Sequence, residues 1–188
     1  MSWIPEFELG IWNAWILILP FIVFWIGGVK FLFSKRMPEV TPPSTRKYKI
    51  LSNLLIIGIF GSFFYSVFMP LKPGTIWFYV GLMVYIVGLV LIAITILNFA
   101  ATPMNIPVTK GVYRYSRNPM FIGWFSIYFG ISIASLSWVY LLITVFLIFI
   151  TLDLSPFEEA MTLEYYGKPY QEYIEKTPKW LGFPKSKK

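Results

Sequence analysis

Four long apolar runs, Ile11–Phe33, Ile50–Met69, Ile76–Leu97 and Pro119–Asp153, are separated by short connections rich in charge and proline. A hydrocarbon core about 30 Å thick takes about 20 helical residues, so the first three runs predict transmembrane helices over 11–33, 50–69 and 76–97. The first is too long and wrongly flanked for a cleaved signal peptide. Its Pro20 predicts a kink, which a bilayer helix tolerates when neighbours satisfy the freed carbonyl. Residues 34–49 carry Lys35, Arg36, Arg46, Lys47 and Lys49 with Pro38, Pro42 and Pro43 and predict an extended loop. Pro70–Gly74 reads as a tight turn, and Gly81 and Gly88 offer small-residue positions where another helix can approach.

The fourth run covers about 35 residues, far more than one crossing needs at about 1.5 Å per residue. It predicts a fold-back at the Ser-rich stretch Ile133–Ser137, giving spans over 119–134 and 138–153; one long tilted helix is the alternative. Beyond Asp153, Ser155 as N-cap, Pro156 at the first helical position and Glu158 three residues on predict a capping box, with Gly167 ending the helix. The tail Lys168–Lys188 is Tyr-rich and basic, suited to packing on the membrane face. The expected fold class is therefore all-α: one domain over 1–188, a polytopic bundle of about five transmembrane helices, the last two a hairpin, followed by a cytoplasmic C-terminal helix.

Composition agrees, since 57% of residues are hydrophobic and 13% charged, too apolar for a soluble domain. In the five-span map with the N-terminus outside, Lys72 alone of the 16 Lys and Arg faces out, which satisfies the positive-inside rule and sends the C-terminus to the cytosol. The formal charge of +7 flanks apolar segments, so its expected partners are anionic membrane lipids and not nucleic acid. Histidine and cysteine are both absent, which removes disulfides, thiolate nucleophiles, Cys/His metal sites and Ser-His or Cys-His pairs; no metal site is expected. Chemistry is left to carboxylates, Arg, Lys, Tyr, Asn and backbone groups.

The one polar, information-rich stretch between apolar runs is Lys110–Gly123. Asn118 and Pro119 form a helix start whose free N–H groups and positive dipole end, with Arg114 and Arg117 just before it, suit an anion. A basic loop that only fixes topology and touches headgroups is the alternative. If the fourth run folds back, Glu158 and Glu159 return to the same face as Arg117 and Asn118. The alternative there is that Glu158 caps its helix while Glu159 pairs with Arg117.

Gly111-Val-Tyr113, then Arg117-Asn118-Pro119-Met-Phe-Ile-Gly123, then Pro156-Phe-Glu158-Glu159 with Leu163, Tyr166-Gly167, Tyr170 and Tyr173 resemble the C-terminal signature of integral-membrane methyltransferases. That group includes isoprenylcysteine carboxyl methyltransferases and phospholipid N-methyltransferases, and the resemblance covers residues 97–184. It implies S-adenosylmethionine as cofactor and a lipid or prenylated acceptor. By motif position it implies Gly111 and Tyr113 shaping the loop over the cofactor, and Arg117, Asn118 and the helix start at Pro119 meeting its carboxylate or an anionic substrate group. Gly123 would allow close approach, and Glu158 and Glu159 would hold ribose hydroxyls or the amino group. Arg117 and Glu159 are the implied catalytic residues, Glu159 being the nearest base if the acceptor is an amine. Many members have His where this chain has Asn118 and Tyr where it has Phe121, so no proton shuttle is expected at 118. Two other classes compete: a non-catalytic scaffold holding anionic lipid, and an isoprenoid- or sterol-type reductase with similar C-terminal features.

Overall fold

The computed structural model describes residues 7–28 and 42–184. Among these the chain is helical without a strand: α1 Trp15–Gly28, α2 Arg46–Val67, α3 Ile76–Ala100, a 3-10 turn at Gly111–Arg114, α4 Pro119–Ala134, α5 Trp138–Tyr166 and α6 Lys168–Lys176. Helices α2, α3 and α5 are long and apolar enough to cross a membrane; α4 is apolar but shorter. The expectations for 29–33, for the basic loop up to residue 41 and for 185–188 lie outside the described residues; the rest of the expected 34–49 loop is not extended throughout, because Thr45 Oγ1 accepts from Tyr48 N–H and starts α2 at Arg46.

Helix α1 starts at Trp15, four residues later than the apolar run suggested. The backbone of 12–14 is spent elsewhere: Ala14 N–H donates to Met69 O (2.9 Å), Leu71 N–H to Trp12 O (3.0 Å), and Asn13 Nδ2 to Val67 O (2.7 Å). Lys72 N–H reaches Ala134 O (3.4 Å), so the 68–75 turn and the 135–137 break share one end of the bundle. At that break Ser137 Oγ accepts from Tyr140 N–H and caps α5.

The closest packing is between α3 and α4, and glycine permits it. A Cβ on Gly88 would lie 2.7 Å from Gly123 O and 2.8 Å from Ile127 N; one on Gly130 would lie 2.5 Å from Tyr85 N and 2.7 Å from Gly81 O. The glycines sit seven residues apart on both helices, so the antiparallel pair meets twice, Gly81 against Gly130 and Gly88 against Gly123. Without a hydrophobic drive between helices in lipid, such backbone approach supplies the van der Waals contact that holds them. Polar links add to it: Ser62 Oγ lies 3.1 Å from Tyr128 Oη between α2 and α4, and Ser132 Oγ 3.2 Å from Thr144 Oγ1 between α4 and α5.

The expected second helix start at Ser155 is not formed. Helix α5 runs unbroken to Tyr166 with Pro156 inside it, and Ser155 Oγ donates to Leu152 O (3.0 Å). Leu152 O is the carbonyl that residue 156 would have bonded, had it an N–H. The serine hydroxyl replaces the missing donor, so the helix continues. Gly167, at φ 60°, ends it as expected, its N–H donating to Leu163 O (2.8 Å).

Candidate functional site

The polar residues gather at the end of the bundle opposite the 135–137 break. Helix α5 has 29 residues, about 43 Å at 1.5 Å per residue. A 30 Å core takes about 20 of them counted from Trp138. The last turns, including Glu158 and Glu159, therefore project beyond the core.

Here α3 ends, the chain passes through the buried Pro107 and Val108, and the 3-10 turn leads into α4. Gly111, at φ 63°, is pressed against Asn98 so tightly that a Cβ would overlap its side-chain amide; only glycine satisfies both conditions. Helix α6 is fastened to this turn by Tyr173, whose hydroxyl donates to Tyr113 O (2.6 Å). Residues 178–182 then run alongside 115–118, with Arg117 N–H donating to Pro178 O (3.0 Å) and Gly182 N–H to Tyr115 O (3.0 Å).

Arg117 does not face an open helix N-terminus. Its Nη1 donates to Ile174 O (2.8 Å) and Thr177 O (3.3 Å), carbonyls at the C-terminus of α6. A guanidinium suits that end of a helix, where unbonded carbonyls and the negative dipole end coincide. Its Nε lies 2.9 Å from Glu159 Oε1 in an oblique approach, a charge contact in which neither atom gains an aligned hydrogen bond. Lys179 Nζ lies 3.2 Å from the other oxygen, Oε2. The ion-pair alternative for Glu159 thus describes its geometry. Asn118 precedes α4 but does not cap it; its Nδ2 donates to Lys179 O (3.1 Å), and its own N–H goes to Ser116 Oγ (3.0 Å).

These elements enclose a cavity of about 160 Å³. Of the expected site residues, Tyr113, Arg117, Asn118, Glu158 and Glu159 line it; Gly111, Pro119 and Gly123 do not. Pro119 is buried at the start of α4, and the close approach at Gly123 is to Gly88 and Ile92 of α3. The residue reading assigned no role to Thr162, Tyr166, Tyr170 and Tyr173, which line the cavity as well, nor to Lys179. The tyrosine spacing around Gly167 was the one available signal. Burial, then the nearby Glu159 charge, pushes the Tyr170 hydroxyl up to about 12, and burial raises Tyr173 further, so both stay protonated donors at neutral pH. Burial also pushes Glu158 up to about 7, partly offset by Lys179.

A family model described as phospholipid methyltransferase matches residues 74–169, half of the chain. The chain belongs to the phospholipid methyltransferase family. No curated protein and no solved structure matches it. As a phospholipid methyltransferase family member it is a membrane methyltransferase acting on lipids, in keeping with the three membrane-length helices among the described residues. The matched stretch holds the cavity residues from Phe99 to Tyr166, whereas Tyr170, Tyr173 and Lys179 lie beyond it.

Proposed function

We propose that this chain transfers a methyl group from S-adenosylmethionine to a lipid or lipid-modified acceptor, with the cofactor held in the cavity between the Tyr113–Asn118 turn, the end of α5 and α6. The observation that carries this reading is the pairing of two carboxylates with an aromatic wall at a membrane exit. The residues fit the group. Glu159 already accepts an ammonium from Lys179, as it would the cofactor's amino group, and tyrosine faces suit an adenine ring or a sulfonium. At about 160 Å³ the cavity matches one end of the cofactor and not the whole, below the roughly 300–1,000 Å³ of sites that enclose a ligand. The cofactor supplies a methyl already attached to a good leaving group. Positioning therefore dominates the chain's contribution. Arg117 fixes Glu159 and the end of α6 together, Tyr173 ties α6 to the turn, and Tyr170 offers a hydroxyl donor.

In this reading residues 1–188 form one membrane domain of five spans, with α4 and α5 as a short hairpin, the N-terminus outside and the C-terminus cytoplasmic. The charged cofactor then arrives from the cytosol and the apolar acceptor from the bilayer. Reporter fusions at Lys188 and in the turn containing Lys72 are expected to report opposite sides; the same side for both excludes the map.

Calorimetry on the detergent-solubilised protein is expected to give micromolar binding of S-adenosylhomocysteine, and none at millimolar ligand sinks the cofactor reading. Glu159→Gln is expected to weaken that binding by about 1–3 kcal/mol, the value of hydrogen bonds to a charged acceptor. Unchanged affinity in a folded variant would leave Glu159 as a structural counter-ion only.

A further inference from the structure

Beyond α6 the chain carries apolar side chains that no span accounts for. Trp180, Leu181 and Phe183 follow Lys179 on the strap that runs alongside 115–118, and Leu181 and Phe183 are 79% and 87% exposed, the latter the most exposed large apolar side chain among the described residues. Single apolar side chains in water need no explanation, but these are placed at a particular level of the bundle. Pro119 in α4 and Asp153 in α5 lie equally far along their helices from the 135–137 break. At that level the exposed ion pair of Lys47 Nζ with Asp153 Oδ2 (3.4 Å) marks where water meets the bundle. Phe125 lies about 9 Å further in along α4 at 1.5 Å per residue, and Trp180 packs on it with ring centroids 6.1 Å apart. The tail therefore reaches the apolar side of that boundary.

We propose that Trp180, Leu181 and Phe183 form an anchor seated in the headgroup–acyl boundary of the leaflet on the cavity side, and that this seating holds the strap on the site. The anchor is independent of the cofactor reading. Indole suits this boundary, having an apolar body and one polar N–H. Irregular backbone near hydrocarbon needs partners for its polar groups, and the strap pairs with the turn: Arg117 N–H donates to Pro178 O (3.0 Å), Asn118 Nδ2 and Ser116 Oγ to Lys179 O (3.1 and 3.4 Å), and Gly182 N–H to Tyr115 O (3.0 Å). Pro178 and Pro184 have no N–H to satisfy. Phe183 sets its ring edge-on to Tyr115, centroids 6.3 Å apart.

Charge selects the occupant. From Lys176 onward the sequence carries lysines and no Asp or Glu, and the exposed Arg114 adjoins Tyr115. Anionic headgroups suit such a stretch, whereas a second copy of the chain would bring the same basic tail against it. Lys179 connects the anchor to the site: its Nζ lies 3.2 Å from Glu159 Oε2 and its carbonyl holds Asn118, and both of those residues line the cavity. Leaflet contact at 180–183 thereby keeps two residues of the cavity wall in place.

The chain has no cysteine, so Leu181→Cys and Gln171→Cys each take a single nitroxide label. In the full chain reconstituted in vesicles of phosphatidylcholine and phosphatidylglycerol, the label at 181 is expected to collide more with oxygen, which concentrates in lipid, than with a water-soluble nickel chelate. The label at 171, on the exposed side of α6, is expected to show the reverse. A water-like ratio at 181 overturns the anchor. Suppressed collisions with both reagents mean that protein covers the position, a second copy of the chain, and overturn it too. Seating is tested with trypsin, which cuts after Lys176 and Lys179. Leu181→Ser combined with Phe183→Ser alters only outward-facing apolar groups. Because cleavage tracks the population of the lifted strap, the double variant is expected to be cut there about tenfold faster than wild type in the same vesicles. Equal rates mean that the leaflet does not hold the strap, and a rise of the same size at Lys49 in α2 means general unfolding; either result overturns the seating.

Discussion

Gly130→Leu is expected to leave little or no folded protein in the membrane fraction. Even a Cβ at this position would lie 2.5 Å from Tyr85 N and 2.7 Å from Gly81 O, and these are backbone atoms of α3 that no rotamer change can move aside. Relief requires α3 and α4 to separate, which also opens the second contact, Gly88 against Gly123, and the buried surface of Ile92, Ile127 and Ile131 between them. Overpacking a well-filled core costs about 1–3 kcal/mol where side chains can yield; here backbone must yield, and the cost is expected to exceed about 4 kcal/mol, comparable to the whole stability of many domains. Two controls in α2 separate this from a general dislike of larger residues at glycine positions in the bundle. A Cβ on Gly61 meets nothing within 4 Å, so Gly61→Leu is expected to be within about 0.5 kcal/mol of wild type. Gly58→Ala meets the end of the Leu147 side chain, which can rotate, and is expected to be intermediate. Detergent thermal melts of the three variants give the order; a Gly130→Leu protein that melts like Gly61→Leu would refute the packing account.

Arg117→Lys is expected to lower turnover about 10²-fold and to lower the melting temperature as well, although the charge is retained. The guanidinium does three things at once: it bonds Ile174 O and Thr177 O through Nη1 and faces Glu159 through Nε. An ammonium is one point and cannot span them, so the end of α6 and Glu159 are no longer fixed to each other. With the side chain about 10% exposed, water does not replace the lost bonds well. A displacement of about 1 Å at a site that works by positioning accounts for the expected loss. Arg114, exposed on the 3-10 turn, serves as the comparison: attraction to headgroups is worth about 1 kcal/mol for either Lys or Arg, so Arg114→Lys is expected to be near neutral. Equal, near-full activity for both variants in the same membranes would make Arg117 a topology residue.

Much of the helical plan was legible in the sequence. The break at 134–138, the starts of α3, α4 and α5 and the stop at Gly167 follow from apolar runs, turn residues and caps, because hydrophobic length and local capping are properties of a few adjacent residues. Gly81 and Gly88 were legible as places of close approach, but not their partners, since pairing with Gly130 and Gly123 depends on which helix lies opposite. The helix start at Ser155 was misread for a similar reason: Ser-Pro-x-Glu signals a start locally, yet the serine that would cap a new helix can equally mend an old one by bonding the carbonyl that proline leaves bare. At the site, Arg117, Asn118, Glu158 and Glu159 were recognisable by residue type and order, whereas their partners were not. Lys179 and the carbonyls of Ile174 and Thr177 lie about 60 residues along the chain from Arg117, and no pattern in the sequence says that α6 folds back onto the turn. The sequence alone determined a membrane-spanning helical chain with a charged cluster at one face. Which carboxylate of the pair holds Arg117 and Lys179 was decided only by the tertiary structure, because ion pairing depends on distances of a few ångströms that adjacent residues on one helix do not share.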